Sequence, residues 1–278
     1  MRYSNVDLHC HSNVSDGSLS PSDVVTRAHQ HGVETLSLTD HDTIAGLNEA
    51  KNKADKLGMK LIPGIELSCQ WRSYGVHILA YDFAIDDETM LQAQRIQTEK
   101  RLQRAREIAA KLVHKGLPDV YERALSLSAS GVPGRPHFAQ ALIDEQVVES
   151  HGAAFKQYLG SGKVGDVKNV WPSLAEVMDW ISTARGVAVI AHPRKYNFSL
   201  SKLRLLIEDF KALEGRGMEV IVSGQKPGEV GMLADLCGRN DLLASVGSDF
   251  HSPKFAWAEI GRVPALPSSV KPVWTLFR

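Results

Sequence analysis

Nine residues of the kinds that hold divalent cations recur along the chain: His9, His11, Asp16, His41, Glu66, His77, His192, Asp249 and His251. His9 and His11 stand two apart in a run with strand character. Their imidazoles therefore point to one side and can grip one cation together, with Asp7 on the same side as an acceptor for a ring N–H. Cys10, between them, turns the other way and into packing. Taken singly, each has an ordinary reading: Asp16-Gly17 as a turn, His41 between Asp40 and Asp42 as a helix-start or surface histidine, Glu66 as a surface carboxylate. Taken together they form a pattern, because six of the 11 histidines fall at or just beyond the C-terminal ends of candidate strands. Active sites of α/β barrels are built at that end. His29, His31, His114 and His151 lie in or beside helical segments, where capping or solvent contact suffices, and carry no chemistry here.

The elements that must position these residues are seven β-rich runs: Asn5 to His11, Thr35 to Thr39, Lys60 to Leu67, Val76 to Tyr81, Val187 to Ala191, Met218 to Val222 and Leu242 to Val246. Most alternate with helical segments, as a parallel sheet or barrel requires. Ser20-Pro21-Ser22-Asp23 reads as an N-cap, an N1 proline and an acidic first turn, and Gly58 and Gly215 suit helix C-terminal caps. One joint breaks the rhythm. Cys69 to Gly75 is too short for a helical crossover, so a hairpin or irregular connection is expected there and a regular eightfold barrel is disfavoured. A long helical pattern from about Met90 to Lys115 then leads into Leu- and Ala-rich segments. Residues 99–170 read as a helical insertion in a barrel made of 1–98 and 171–278. The insertion carries 11 Lys/Arg against 8 Asp/Glu, with Lys100, Arg101, Arg104, Arg106 and Lys111 crowded on its first helix, which reads as a solvated basic face.

Composition narrows the partners. Lys+Arg and Asp+Glu balance at 32 each over 278 residues, so no global field draws the chain to nucleic acid or to an anionic membrane, and an anionic ligand must be held locally. The apolar runs fall far short of the ~20 residues of a membrane span, and Met1 to Asp7 lacks a signal-peptide core. Three scattered cysteines, Cys10, Cys69 and Cys237, form no disulfide framework, and a cytoplasmic setting with reduced thiols is expected.

The segments "DLHCHSNVSDG", "LTDHDT", "PGIELS", "VHILAY", "GRPHFA", "IAHPRK" and "GSDFH" resemble, in order, the successive motifs of the PHP (polymerase and histidinol phosphatase) family. The insertion and "GRPHFA" resemble the branch acting on nucleoside 3',5'-bisphosphates and on the 5' ends of short oligonucleotides. The resemblance implies an α/β fold, a distorted (β/α)7 barrel with a small inserted helical subdomain, and three divalent ions. One ion would be held by His9, His11, Glu66 and Asp249; Glu66 would bridge to a second held by His77 and His192; Asp16, His41 and His251 would hold the third. Mixed imidazole and carboxylate ligands suit Mn²⁺ best, with Zn²⁺ or Fe²⁺ possible and a Mg²⁺-only site disfavoured. Three divalent cations against three carboxylates leave a local charge of about +3, which seeks a phosphoryl dianion. A water bridging two such ions loses its proton near neutral pH, against a bulk pKa of ~15.7, and can attack phosphorus in line. Glu66, Asp249 and His192 are the residues on which catalysis would depend most.

Outside the ligand set, Arg135 and His137 flank Pro136 at an expected helix start, and Arg194 and Lys195 follow His192. A helix N-terminus with a guanidinium is a ready phosphate site. Trp71, Tyr74, Tyr196 and Phe198 suit either base stacking or packing. The expected activity is removal of the 3'-phosphate from nucleoside 3',5'-bisphosphates, with 5'-to-3' trimming of short 5'-phosphorylated RNA or DNA. The alternatives are a histidinol-phosphate phosphatase, an amidohydrolase-type deaminase or lactonase, and a non-catalytic metal-dependent module.

Overall fold

The computed structural model describes residues 3–168 and 170–278. Seven strands form one sheet in chain order: β1 (Val6–Asp7), β2 (Thr35–Leu38), β3 (Lys60–Trp71), β4 (Tyr74–Tyr81), β5 (Val187–Ile190), β6 (Gly217–Val222) and β7 (Leu243–Gly247). The outer strands meet. Leu8 N–H donates to Val246 O at 3.0 Å, Asp249 N–H to His9 O at 2.7 Å and His11 N–H to Phe250 O at 2.9 Å. Gly247 permits this approach, since a Cβ there would stand 2.2 Å from His9 Cβ. The result is the distorted seven-stranded α/β barrel that the motifs imply.

All neighbouring strands run parallel except β4, which is antiparallel to both β3 and β5. The joint that sequence spacing singles out is a hairpin. β3 and β4 pair continuously from Gly64↔Tyr81 to Trp71↔Tyr74, and Arg72, at φ 53°, makes the tight left-handed turn that a two-residue loop requires. Two expectations change as a result. β3 runs on to Trp71 instead of ending at Leu67, so Glu66 is mid-strand. His77 lies near the start of β4, not at a C-terminal end, and reaches the site only because β4 is reversed.

β1 is also shorter than the expected run. Only Val6 and Asp7 pair regularly with β2, and residues 8–11 continue extended along the β7 side. The alternation holds nevertheless: His9 and His11 face the interior of the barrel end, and Cys10 turns away to give its thiol hydrogen to Ser37 O at 3.3 Å.

Helix boundaries follow local chemistry. α1 (Pro21–Gln30) starts at Ser20, whose hydroxyl accepts from Asp23 N–H at 3.1 Å, and α2 (Leu47–Leu57) ends on Gly58 at φ 68°. After α8 (Leu200–Ala212) the left-handed position is taken by Glu214 at φ 63°, not by Gly215; Gly215 is needed because a Cβ would strike the Phe210 ring at 2.2 Å. α7 (Leu174–Thr183) and α9 (Glu229–Arg239) cover the remaining barrel crossovers.

Two apolar clusters result. One fills and surrounds the barrel, with Leu8, Leu36, Ile65, Ile78, Val189, Met218 and Val246 among its members. The other joins α4 (Tyr121–Leu127), α5 (Arg135–Asp144) and α6 (His151–Ala154), with its π-helical extension Phe155–Leu159, to the second half of α3 (Glu88–His114). α3 is continuous through residues 98 and 99: Met90 belongs to the barrel cluster and Ile108 and Leu112 to the other. No helix among the described residues is long and apolar enough to cross a membrane.

Candidate metal centre and its cleft

The barrel end that carries His9 and His11 brings all nine metal-type residues together. His9 is fully buried, and its Nδ1 lies 3.0 Å from Glu219 Oε1. A proton on Nδ1, shared with that carboxylate, leaves the Nε2 lone pair facing inward. His9 Nε2 is 3.1 Å from His11 Nε2, 3.3 Å from Glu66 Oε2 and 3.5 Å from Asp249 Oδ1; His11 Nε2 is 3.3 Å and 3.2 Å from the same two oxygens. Ligand atoms held ~2.1 Å from one ion stand roughly 3.0–3.4 Å apart at octahedral or tetrahedral angles. These four atoms therefore surround a common point.

Glu66 divides its oxygens. Oε2 faces His9, His11 and, at 2.9 Å, His41 Nδ1, whereas Oε1 lies 2.7 Å from His77 Nδ1 and 2.8 Å from His192 Nε2. On the far side Asp16 sits between His41 and His251, at 3.7 Å and 3.3 Å. His11, Asp16, His41 and His251 can converge on one ion, as can His9, His192 and Asp249, then His9, His11 and Glu66, and finally His41, Glu66 and His77. The groups overlap more than three separate sets would, with His41 contributing on two sides.

Metal ions fit this donor set. His11 Nδ1, Asp16 Oδ1, His41 Nδ1, Glu66 Oε2 and His192 Nδ1 are all buried and make no hydrogen bond of acceptable geometry. A buried polar atom left so costs about 1–3 kcal/mol, and several at one point are what cations would satisfy. The chain's own charges show the same strain. Burial opposes ionisation of Glu66, yet His41, His77 and His9 hold its carboxyl well below the ordinary range. Burial pushes His11 down to about 3, whereas at His251 the Asp16 carboxylate overcomes burial and raises it to about 9.

The supports of this cluster were only partly visible in sequence. Glu219, fully buried on β6, accepts from His9 and, through Oε2, from His192 N–H at 2.6 Å. The available signal was a single carboxylate in the apolar run "MEVIV", which burial tolerates only with partners. Asp7 was expected to serve a histidine ring. Its carboxylate instead accepts Ser248 N–H and Gly261 N–H, each at 2.9 Å, and ties the loop after β7. Asp40 anchors the Asp16 loop through Ser12 N–H at 2.7 Å and the Ser15 hydroxyl at 2.6 Å, and Gly17 is required because a Cβ would lie 2.5 Å from His11 O. His192 and Asp249 hold φ of 25° and 52°, strained positions for residues with a Cβ.

The cluster opens into a cleft of about 470 Å³. Its far wall is basic, which revises the reading of α3 as a solvated face: Arg101 and Arg104 turn inward and both lie over Trp171 at 5.4 Å. Arg101 pairs with Asp42 at 2.7 Å. Arg104 has only a backbone acceptor, Val167 O at 3.1 Å, and Arg135, at the first position of α5, has Leu159 O at 3.3 Å. Neither forms an ion pair among the described residues. Burial first, then Arg135 and Arg101, press Arg104 down to about 9.

Lys195 also lines the cleft and salt-bridges Asp249 Oδ2, leaving Oδ1 for the histidines. The structure does not bring the other two anion candidates there. His137 Nδ1 accepts Gly134 N–H at 2.9 Å, capping α5, and Arg194 pairs with Glu229 at 3.0 Å. Tyr74, Tyr196 and Phe198 line the cleft, while Trp71 is buried behind them with its N–H on Asp209. The control histidines stay outside: His29 and His114 are exposed, His31 binds Ile260 O and His151 binds Gln140.

A seven-stranded barrel with this many histidines and carboxylates at its open end defines a class of metal-site barrel proteins. The chain belongs to the PHP domain family, whose profile matches residues 7–159. It is 44% identical over 277 residues to a 5'-3' exoribonuclease of Haemophilus influenzae, covering 98% of each chain. It is 35% identical over 271 residues to a 3',5'-nucleoside bisphosphate phosphatase of Chromobacterium violaceum, covering 97% of this chain and 95% of that one. A solved Chromobacterium violaceum structure, described as an amidohydrolase with bound sulfate and no metal, superposes with a TM-score of 0.91 at 35% identity and covers 98% of this chain and 95% of its own.

Proposed function

We propose that this chain is a metal-dependent phosphoesterase that removes the 3'-phosphate of nucleoside 3',5'-bisphosphates, such as adenosine 3',5'-bisphosphate to AMP, and trims short 5'-phosphorylated oligonucleotides from the 5' end. The observation that carries this reading is the pair Arg104 and Arg135, two half-buried guanidiniums that form no ion pair among the described residues, across one cleft from the nine-residue cluster. A substrate with one phosphate at the cluster and a second a few ångströms away satisfies both ends. A histidinol phosphate would leave the guanidiniums unpaired. The names of the relatives from Haemophilus influenzae and Chromobacterium violaceum agree with the two activities.

In this reading the nine residues would hold about three divalent ions, Mn²⁺ foremost, which would supply Lewis-acid charge and make water more acidic beside the phosphorus. Glu66 joins the two sides of the cluster through its separate oxygens, and Glu219 holds His9 in one tautomer and His192 in its strained backbone. Arg135 and Arg104 receive the second phosphate, and the start of α5 adds outward N–H groups. Residues 99–170, the proposed inserted subdomain, supply that wall. The three buried free cysteines suit a reducing, cytoplasmic setting.

The test is a phosphate-release panel of adenosine 3',5'-bisphosphate, 3'-AMP and histidinol phosphate, run beside metal analysis of protein purified without chelator. Chelation should abolish release and Mn²⁺ should restore it. Preference for histidinol phosphate, or full activity with one ion per chain, would overturn the reading.

A further inference from the structure

The loop that leaves the cluster after His251 ends in an exposed aromatic pair for which neither the barrel core nor the cleft has a use. Trp257 is 63% exposed and Phe255 44%, with ring centroids 6.3 Å apart. Single exposed aromatics are ordinary, whereas neighbouring ones make a contiguous apolar patch of the kind that marks a binding surface. The pair is also held in place. Phe255 N–H donates to Ser252 O at 3.0 Å and Ala258 N–H to Phe255 O at 2.9 Å, closing a 3-10 turn around them.

The indole rests against Gly224, where a Cβ would lie 3.2–3.3 Å from its ring, and Gly224 takes φ 79° in the loop following β6. That loop is itself tied down, because Gln225 accepts Val222 N–H at 3.1 Å and donates to Val220 O at 2.8 Å. The indole N–H makes no hydrogen bond among the described residues. Exposed Lys254 precedes Phe255 directly in the chain, and exposed Lys226 stands two residues after Gly224. Both loops leave the same end of the barrel that carries the cluster, and only Ser252, Pro253 and Lys254 separate His251 from Phe255.

We propose that Phe255 and Trp257 form a stacking platform for a base of single-stranded RNA lying beyond the first nucleotide 3' of the bond being cut, with Lys254 and Lys226 meeting its backbone. This deepens the oligonucleotide part of the proposed function and rests on it. If the 5' phosphate occupies the arginine wall and the scissile phosphate the cluster, the remaining strand must leave over the rim. A fixed aromatic pair on loops that also carry exposed lysines is the chemistry that holds a strand without reading its sequence. A mononucleotide ends before reaching it, so the platform acts on chain length and leaves the small substrate untouched.

The test compares wild type with the double variant Phe255→Ala, Trp257→Ala in Mn²⁺, using adenosine 3',5'-bisphosphate, a 5'-phosphorylated RNA dinucleotide and a 5'-phosphorylated RNA octanucleotide. The variant should lose about tenfold in kcat/KM on the octanucleotide, the effect of one stacked base, and nothing measurable on the other two. Tryptophan fluorescence of Trp257→Phe against wild type should show that the octanucleotide quenches Trp257. An equal loss on all three substrates, or no loss on any, overturns the platform. So does a wild type that elutes as a dimer and a variant that elutes as a monomer with unchanged length dependence, which would make the pair a self-association surface. If wild type hydrolyses none of the substrates, the proposed activity falls, and the octanucleotide quench alone decides the platform.

Discussion

Replacing Arg135 by Ala tests whether the cleft was built for a second phosphate. The guanidinium sits at the first turn of α5, lines the cleft and forms no ion pair among the described residues, so its charge is available to a ligand. A charge-assisted hydrogen bond contributes about 1.5–3 kcal/mol. Arg104 stays in place, and losing Arg135 relieves one of the like charges that press it down, so Arg104 should take over part of the interaction. The expected loss on adenosine 3',5'-bisphosphate is therefore about 2 kcal/mol in kcat/KM, roughly 30-fold. On 3'-AMP, which lacks the second phosphate, the variant should match wild type. The assay is initial-rate phosphate release at substrate below KM, with Tm measured alongside. Removing a half-buried cation that has no ion-pair partner among the described residues should leave Tm unchanged or raise it. Equal losses on the two substrates would refute the assignment and pass the role to Arg104, Arg101 or Lys195.

Glu66→Gln should reduce phosphate release by orders of magnitude while His29→Ala leaves it intact, because Glu66 faces both sides of the cluster through separate oxygens and His29 is exposed; comparable losses in the two variants would show that the site residues are wrongly drawn. Glu219→Gln retains one acceptor where the carboxylate had two in use, so either His9 or His192 loses its support, and metal retention during dialysis against a chelator should weaken about 10–100-fold. Unchanged metal content and activity in that variant would reduce Glu219 to a packing residue.

Much of the barrel was legible because strand-forming runs, N-caps and the short Cys69–Gly75 joint are local signals. The reversal of β4 was legible only as an irregularity. Its effect on His77, which enters the site from the start of a strand, follows from pairing with both neighbours, and spacing cannot show it. Glu219 was missed because its partners are 210 and 27 residues away in sequence. Arg101 and Arg104 misled for a related reason: a basic stripe on a helix looks the same whether it faces solvent or a cleft, and the Trp171 ring on which both guanidiniums lie is far away in the chain. Asp7 was placed on the correct side of its strand, but alternation cannot say whether a carboxylate meets a ring or a backbone amide.

The seam between β1 and β7 is where the barrel closes, and it runs through the cluster itself. Asp249 gives its amide hydrogen to His9 O, and His11 gives its own to Phe250 O. Regular pairing in β1 covers two residues, so these bonds are a large share of what joins the two ends of the sheet. Completing the fold and gathering the ligands are therefore a single event. Ions that bind only the closed seam would act as a clasp, stabilising the folded chain by RT ln(1 + [L]/Kd), about 2.7 kcal/mol for one site at a hundredfold excess over Kd. In such a protein the cofactor supply of the cell sets both the rate of the reaction and how long the barrel survives between turnovers.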